Sequence, residues 1–433
     1  MNAKKMLMFA MLGGATVAHA ATLSVKDVKV TPRYPWNGLV DIDYYVVSDD
    51  LGADVYVTPV AYDADRRMTV FPVTLSGDGA ASTVKAGQHR MTWDATADLG
   101  TFSSSRFHVE IYAGFRLPRY VKIDLSSGSE SENYPVMFSC VGPAVESDAC
   151  RTTELWLRLI PAGEFWMGSP TDELGRSDNE DLHHVTLTKP FYMGVFEVTQ
   201  KQWELVMGTK PSYFQGTANE AIRPVEQISY ADLRANSYPS GDPSGSSFFA
   251  KLRSRTQMHG FDLPSEARWE YACRAGTKTA LYTGKNLSFV ASSHFVNEIA
   301  RNFANGWGSP APDKMNESYG TARVGSYKPN ALGLYDMLGN VTEICRDGAY
   351  NNTSHLGYDD VTDPLNTNSG PGPYYTLYYY IVTRGGSFSC KANKCRSGNR
   401  PNRDELHSYT SYQGAGWTTS SELGFRVCAE AEF

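Results

Sequence analysis

The sequence predicts two folded units of different texture. An N-terminal all-β immunoglobulin-like sandwich is expected over residues 21–125, and a loop-rich α+β unit over residues 152–433. A Ser-, Gly- and Glu-rich linker at 126–151 joins them. Three observations carry this. Residues 40–44, 54–57, 106–112 and 121–124 alternate apolar and polar with period two, which is the pattern of half-buried strands. After residue 152 the helical patterns are few and short, and Gly-, Asn- and Ser-rich stretches separate them. With 38 Gly, 22 Pro and 12% aromatic residues in 433, the composition suits a chain of strands and ordered loops.

Residues 1–20 precede the first unit. Lys4 and Lys5 start a short uncharged run that ends in Ala18-His19-Ala20, the arrangement of a secretory signal peptide. The expectation is therefore an exported protein, periplasmic, secreted or at the cell surface, with no membrane span and in a compartment that permits disulfides. Strands of the first unit are punctuated by turns such as Ser76-Gly77-Asp78-Gly79. The linker holds Cys140 and Cys150, and a disulfide between them would close a short loop. In the second unit residues 199–207, 230–235 and 265–273 read as helices, with Thr199 and Ser265 placed as N-caps. Forty Lys and Arg against 47 Asp and Glu leave a charge of −7, without the basic excess that nucleic-acid binding needs.

Seven motifs then follow in order. They are Pro161-Ala162-Gly163-Glu164-Phe165-Trp166-Met167-Gly168, Phe191-Tyr192-Met193-Gly194, Arg223-Pro224-Val225, Leu263-Pro264-Ser265-Glu266-Ala267-Arg268-Trp269-Glu270-Tyr271, Asn330-Ala331-Leu332-Gly333-Leu334-Tyr335-Asp336-Met337, Arg384-Gly385-Gly386-Ser387 and Leu423-Gly424-Phe425-Arg426-Val427. In this order and spacing, residues 152–430 resemble the sulfatase-modifying factor family, whose founding activity is the formylglycine-generating enzyme. The resemblance implies a C-type-lectin-like formylglycine-generating-enzyme fold. It further implies oxidation of a cysteine in an unfolded sulfatase segment, with copper and oxygen.

Cys390 and Cys395 match the family's active-site pair in C-x4-C spacing, and Ser387 matches its active-site serine. Thiolates select copper(I), and Lys391 and Lys394 beside the thiols would favour that ionised form. Thr342-Glu343-Ile344 stands where family enzymes carry Trp-Glu-Trp. The resemblance also implies calcium at Asp336, Gly339, Val341 and Glu343, with a second site near Asn302, Phe303 and Asn316. It implies a Cys273–Cys428 disulfide as well. Cys345, Cys390 and Cys395 then remain. Either Cys390 and Cys395 form the copper pair, or Cys345–Cys395 is a structural bond and Cys390 is free.

A reading from another class stays open beside the enzyme. A non-catalytic lectin-like domain would present Tyr374, Tyr375, Tyr378, Tyr379, Tyr380, Tyr409 and Tyr412 to a peptide or glycan. An iron-dependent oxidase of the same superfamily lacks support, since no H-x3-H-x-E arrangement occurs. His183 and His184 are adjacent on a strand pattern and point to opposite faces, so they do not share a metal. Walker, G-x-G-x-x-G and G-x-S-x-G motifs are absent from the sequence.

Overall fold

The computed structural model describes residues 22–431 except 36, 101–103, 105, 116, 236–238, 308–317, 349–359, 368–380 and 402–418. The signal-peptide segment, Asn316 and the seven tyrosines of the lectin-like reading lie outside the described residues.

Seven strands build the first unit: β1 (Leu23–Pro32), β2 (Leu39–Ser48), β3 (Tyr56–Asp63), β4 (Met68–Val70), β5 (Leu75–Gly77), β6 (Gly87–Asp94) and β7 (Phe107–Gly114). They form a four-stranded sheet, β1-β2-β6-β5, and a three-stranded sheet, β4-β3-β7. Strand β2 buries Val40, Ile42, Tyr44 and Val46, each two residues from the next, so one face of its sheet is apolar. That face meets the other sheet: Ile42 and Trp93 share one cluster with Ala61, Val70 and Val109. A short helix, α1 (Ala95–Leu99), brings Asp98 to accept the Trp93 indole N–H at 2.7 Å.

The second unit begins earlier than the sequence suggests. Its six-stranded sheet runs β14-β19-β13-β10-β8-β9. The members are β8 (Tyr120–Asp124), β9 (Val136–Ser139), β10 (Glu154–Ile160), β13 (Phe191–Gly194), β14 (Phe261–Asp262) and β19 (Cys428–Glu430). Residues 120–124 were expected in the sandwich and 126–151 as a linker. Instead β8 pairs with β10 from Tyr120↔Arg158 to Asp124↔Glu154, and β9 pairs with β8. Alternation reveals that a strand has one buried face, but not which sheet it joins.

Two three-stranded sheets complete the unit. One holds β11 (Gly163–Met167), β12 (His183–Leu187) and β16 (Val361–Thr362). The other holds β15 (Thr342–Gly348), β17 (Ile381–Arg384) and β18 (Leu423–Gly424). The helices are α2 (Gln200–Met207), α3 (Tyr230–Arg234), α4 (Phe248–Thr256), α5 (Glu266–Arg274), α6 (His294–Asn297) and α7 (Phe303–Gly306). Thr199 caps α2 with a reciprocal Gln202 bond, and the Ser265 side chain caps α5. Helix α4 was not expected; its apolar residues Phe248, Phe249 and Leu252 are buried on one side. No helix among the described residues is long and apolar enough to cross a membrane.

The two units share a core. Phe71, just after β4, sits in the main cluster of the second unit with Phe165, Phe191, Trp269 and Tyr271. Thr69 Oγ1 accepts the Glu164 N–H at 2.8 Å. Gly163 permits this approach, since a Cβ there would stand 2.0 Å from that hydroxyl oxygen. Arg67 completes the seam with an ion pair to Asp360 at 2.5 Å.

Phe71→Ala is expected to destabilise the whole chain by about 3–5 kcal/mol, the range for emptying a packed aromatic site. Chemical unfolding followed by tryptophan fluorescence measures it. A loss confined to the first unit's transition would show that Phe71 does not support the second core.

Candidate functional site

The site is built on the turn that follows β17. Gly385 and Gly386 take positive φ, at 91° and 72°, and reverse the chain. A Cβ on Gly386 would stand 2.7 Å from Lys394 O and 3.2 Å from Cys395 Sγ, so only glycine lets the far end of the segment fold beneath it. Phe388 N–H donates to Asn340 O at 2.9 Å, and Phe303 N–H to Cys390 O at 2.8 Å. A 3₁₀ turn over Ala392–Lys394 then returns Cys395 to the interior. Ser387, Cys390 and Cys395 are thereby drawn together.

Ser387 Oγ stands 2.6 Å from Glu422 Oε2 and 3.4 Å from Cys390 Sγ. Ser389 Oγ donates to the same carboxylate oxygen at 2.5 Å. Cys390 is half-buried and Cys395 fully buried. Burial pushes the Cys395 thiol well above its usual range, and the neighbouring Cys390 adds to the shift. Lys391 is exposed, and burial outweighs any help from the flanking lysines at Cys395.

Aromatic rings wall the turn. Phe388 packs against Phe214 at 5.3 Å, Trp307 at 6.0 Å and Tyr319 at 6.1 Å between centroids. These rings come from positions other than 342 and 344. Thr342 is buried, and Ile344 belongs to a core cluster with Trp203 and Phe425. The sequence reading passed over Glu422, Phe214, Trp307 and Tyr319. The one available signal was the position of Glu422 directly before Leu423-Gly424-Phe425-Arg426.

All seven cysteines are free in this structure, so the expected Cys273–Cys428 and Cys140–Cys150 bonds are not formed in it, nor is the alternative Cys345–Cys395 bond. Cys273 Sγ lies 3.6 Å from Ser397 Oγ, whereas Cys428 neighbours Arg268 and Glu430. Cys140 neighbours Arg119 and Asp54, while Cys150 is packed with Val195, Phe196 and Val324. Cys345 faces Asp347, Glu266 and Arg384, whereas Cys395 faces Cys390.

The side chains that the resemblance marks for calcium have protein partners of their own. Both Glu343 oxygens lie 2.6 Å from the Arg426 guanidinium, and the Trp269 indole N–H donates to Oε2 at 2.7 Å. A carboxylate held this way does not offer its oxygens to a cation. Asp336 accepts the Gly325 N–H at 2.5 Å, and burial pushes its carboxyl up to about 6. Gly339 N–H donates to Gly385 O, and Val341 N–H to Glu197 Oε1; a cation there would take their carbonyl oxygens instead. Asn302 caps α7 through the Ala304 N–H, and its amide donates to Asn297 and Ala300. Among the described residues, no group of three or more His, Cys, Asp or Glu is arranged to hold a metal. His183 and His184 diverge as expected: His183 bonds Asp181 O, and His184 lies between Glu164 and Asp360.

Behind the wall, Glu226 accepts the N–H groups of Tyr213 at 2.9 Å and Phe214 at 3.0 Å. It fixes the loop that presses Phe214 onto Phe388. Burial raises its carboxyl to about 7.

Residues 144–431 match the family model described as "Sulfatase-modifying factor enzyme 1-like domain". The chaperone protein LppX of Paenibacillus barcinonensis is 34% identical over 211 residues, which are 44% of this chain and 70% of LppX. The formylglycine-generating enzyme of Mus musculus is 24% identical over 314 residues, 63% of this chain and 74% of the enzyme. The solved structure of PvdO from Pseudomonas aeruginosa aligns at 25% identity and a TM-score of 0.45, over 64% of this chain and 94% of PvdO.

Two outcomes are expected. A chelator should leave the melting temperature unchanged, because Arg426 already neutralises Glu343; a drop of several degrees would restore a calcium site. Glu226 has a raised folded-state value, so its contribution is fully present below about 4.5 and is lost as pH rises through about 7. Denaturant titrations of Glu226→Gln and the parent chain should differ in pH slope by up to about 3 kcal/mol over that window. Parallel slopes would contradict the shift.

Proposed function

The chain belongs to the sulfatase-modifying factor family, and from that premise we propose that its C-terminal unit is a formylglycine-generating oxidase acting on a cysteine in an unfolded sulfatase segment. The observation that carries this is the turn at Ser387–Cys395, which sets a half-buried thiol beside a buried one with Ser387 between Cys390 and Glu422. Two thiols carried on one short turn are a soft donor set suited to copper(I), and Cys390 and Cys395 would hold it. When bound, the ion supplies the electron transfer between substrate thiol and oxygen. The protein's own residues do the rest. Ser387 and Glu422 orient the Cys390 sulfur, the Phe388–Trp307 wall keeps water from one side, and the half-buried position of Cys390 leaves it open to a peptide. We further infer export through residues 1–20, an immunoglobulin-like character for the first unit from its four-plus-three antiparallel strands, and a C-type-lectin-like second unit.

A second reading has its own support. The exposed rings of Phe303 and Trp307 and the similarity to a protein named a chaperone favour a domain that binds an extended segment or a glycan without altering it.

Purified chain loaded with copper(I) should convert a cysteine peptide from a sulfatase into the aldehyde, read by mass spectrometry and hydrazide capture. Cys390→Ser and Cys395→Ser should each abolish the product while leaving the melt within a few degrees. Peptide binding with no mass change in the loaded wild-type chain would select the binding domain instead.

A further inference from the structure

Two arginines meet where the first unit joins the six-stranded sheet, and neither has an acid for a partner. Arg158 stands on β10, cross-strand from Tyr120 of β8, and its guanidinium lies over that ring at 4.8 Å. The residue is only 7% exposed, and its Nε is buried with no acceptor. Among the described residues, none of its N–H groups donates to a carbonyl or a carboxylate. Arg119 immediately precedes β8. Its Nη groups donate to Ala80 O and, at 3.1 Å, to Gly79 O, both in the turn between β5 and β6 of the first unit. That leaves three of its five N–H donors for another acceptor. Burial and then the Arg158 charge push its guanidinium down to about 10, the effect of one cation on another.

The acids and thiol nearby do not offset these charges. Glu154 shares a face of β10 with Arg158, but it accepts from Lys122 at 2.9 Å and from the Trp156 indole at 2.8 Å. Asp54 is held by Thr83 and Lys85, each at 2.9 Å. Cys140 neighbours Arg119, yet burial raises its thiol and keeps it uncharged. A buried guanidinium without a counter-charge is costly, and an anion beside it removes that cost. A carboxylate offers two oxygens along one edge and suits a single fork. Two guanidiniums borne on different segments suit an anion with oxygens on several sides, as phosphate and sulfate have.

We propose that Arg119 and Arg158 form a binding site for a free tetrahedral oxyanion, phosphate or sulfate, which bridges the Gly79–Ala80 turn to the six-stranded sheet. The site uses no residue of the cysteine turn, so it stands or falls independently of the oxidase reading.

The test titrates the full chain with phosphate, sulfate, acetate or chloride at constant ionic strength. Concentrations stay at or below about 10 mM, under the range where salts act by exclusion from the surface. Phosphate and sulfate should raise the melting temperature by a few degrees and saturate, because the anion binds only the folded state. Acetate should do less, and chloride nothing. Arg158→Gln should abolish the rise. Without oxyanion this variant should melt at or above the parent, since it removes an unpaired buried charge. Arg158→Lys should bind phosphate about tenfold more weakly, having lost the planar fork. Phosphoserine should fail to replace phosphate, because a residue as buried as Arg158 leaves no room for an ester. Hydrogen exchange of the parent chain gives a reading that needs no variant: phosphate should slow exchange in residues 78–81 and 118–124 and leave 385–395 unchanged. The site would be overturned by the absence of a saturable rise in the parent, by an equal rise in Arg158→Gln, or by slowed exchange confined to other segments. A melt of Arg158→Gln lowered by the same amount with and without phosphate would mark a purely structural arginine and overturn it too. Phosphoserine binding as tightly as phosphate would overturn the assignment to the free ion.

Discussion

The buried ion pair between Arg426 and Glu343 is the constraint around which the second unit is arranged. Both side chains are excluded from water, and the guanidinium meets the carboxylate in two parallel bonds. Its remaining donors reach Gly194 O at the end of β13 and Tyr335 O in the loop before β15. The Trp269 indole, from α5, closes the cluster on Glu343. A single cation therefore links two sheets, a helix and a long loop. Such a pair earns little net stability against hydrophobic replacements, but losing one partner strands a buried charge, at about 3–5 kcal/mol. In a domain with few long helices or strands, it defines where each loop must lie.

The same device recurs. Arg384 bonds Glu270 and the carbonyls of Ser397 and Asn399. Arg396 is held by Glu173 and Glu180 and donates to Gly175 O. Each arginine satisfies loop carbonyls that no strand or helix pairs, which meets the general demand that buried backbone groups be bonded. Arg384 ends β17 and Arg396 follows Cys395, so both ends of the cysteine turn are pinned by buried charges. The turn itself can then be half-open without being loose.

How much of this was legible follows from the range of each interaction. Local signals read well: the Ser265 cap, the alternation of β2, and the glycines and cysteines of the 385–395 turn. Failures came where a partner far away in sequence decided the outcome. Residues 120–124 alternate like a sandwich strand, yet the partner is β10. Glu343 is an ordinary acid in the sequence, and only the fold shows Arg426, 83 positions later, on both of its oxygens. Cys273 and Cys428 suit a disulfide by motif, yet Cys273 lies against Ser397 and Cys428 against Arg268. Glu422 is an ordinary surface acid until Ser387 and Ser389 are seen to converge on it.

The placement of β8 and β9 has a practical consequence. The family match starts at residue 144, whereas the sheet that carries β10 and β13 continues outward through residues 120–124 and 136–139. A fragment cut at the family boundary would expose the unpaired N–H and C=O groups of β10 along one whole side. Such an edge recruits strands from neighbouring chains, so the fragment would be prone to associate with itself. The absence of the first unit would add the vacated Phe71 pocket to that sticky surface. Work on the isolated catalytic candidate therefore has to carry the upstream strands with it.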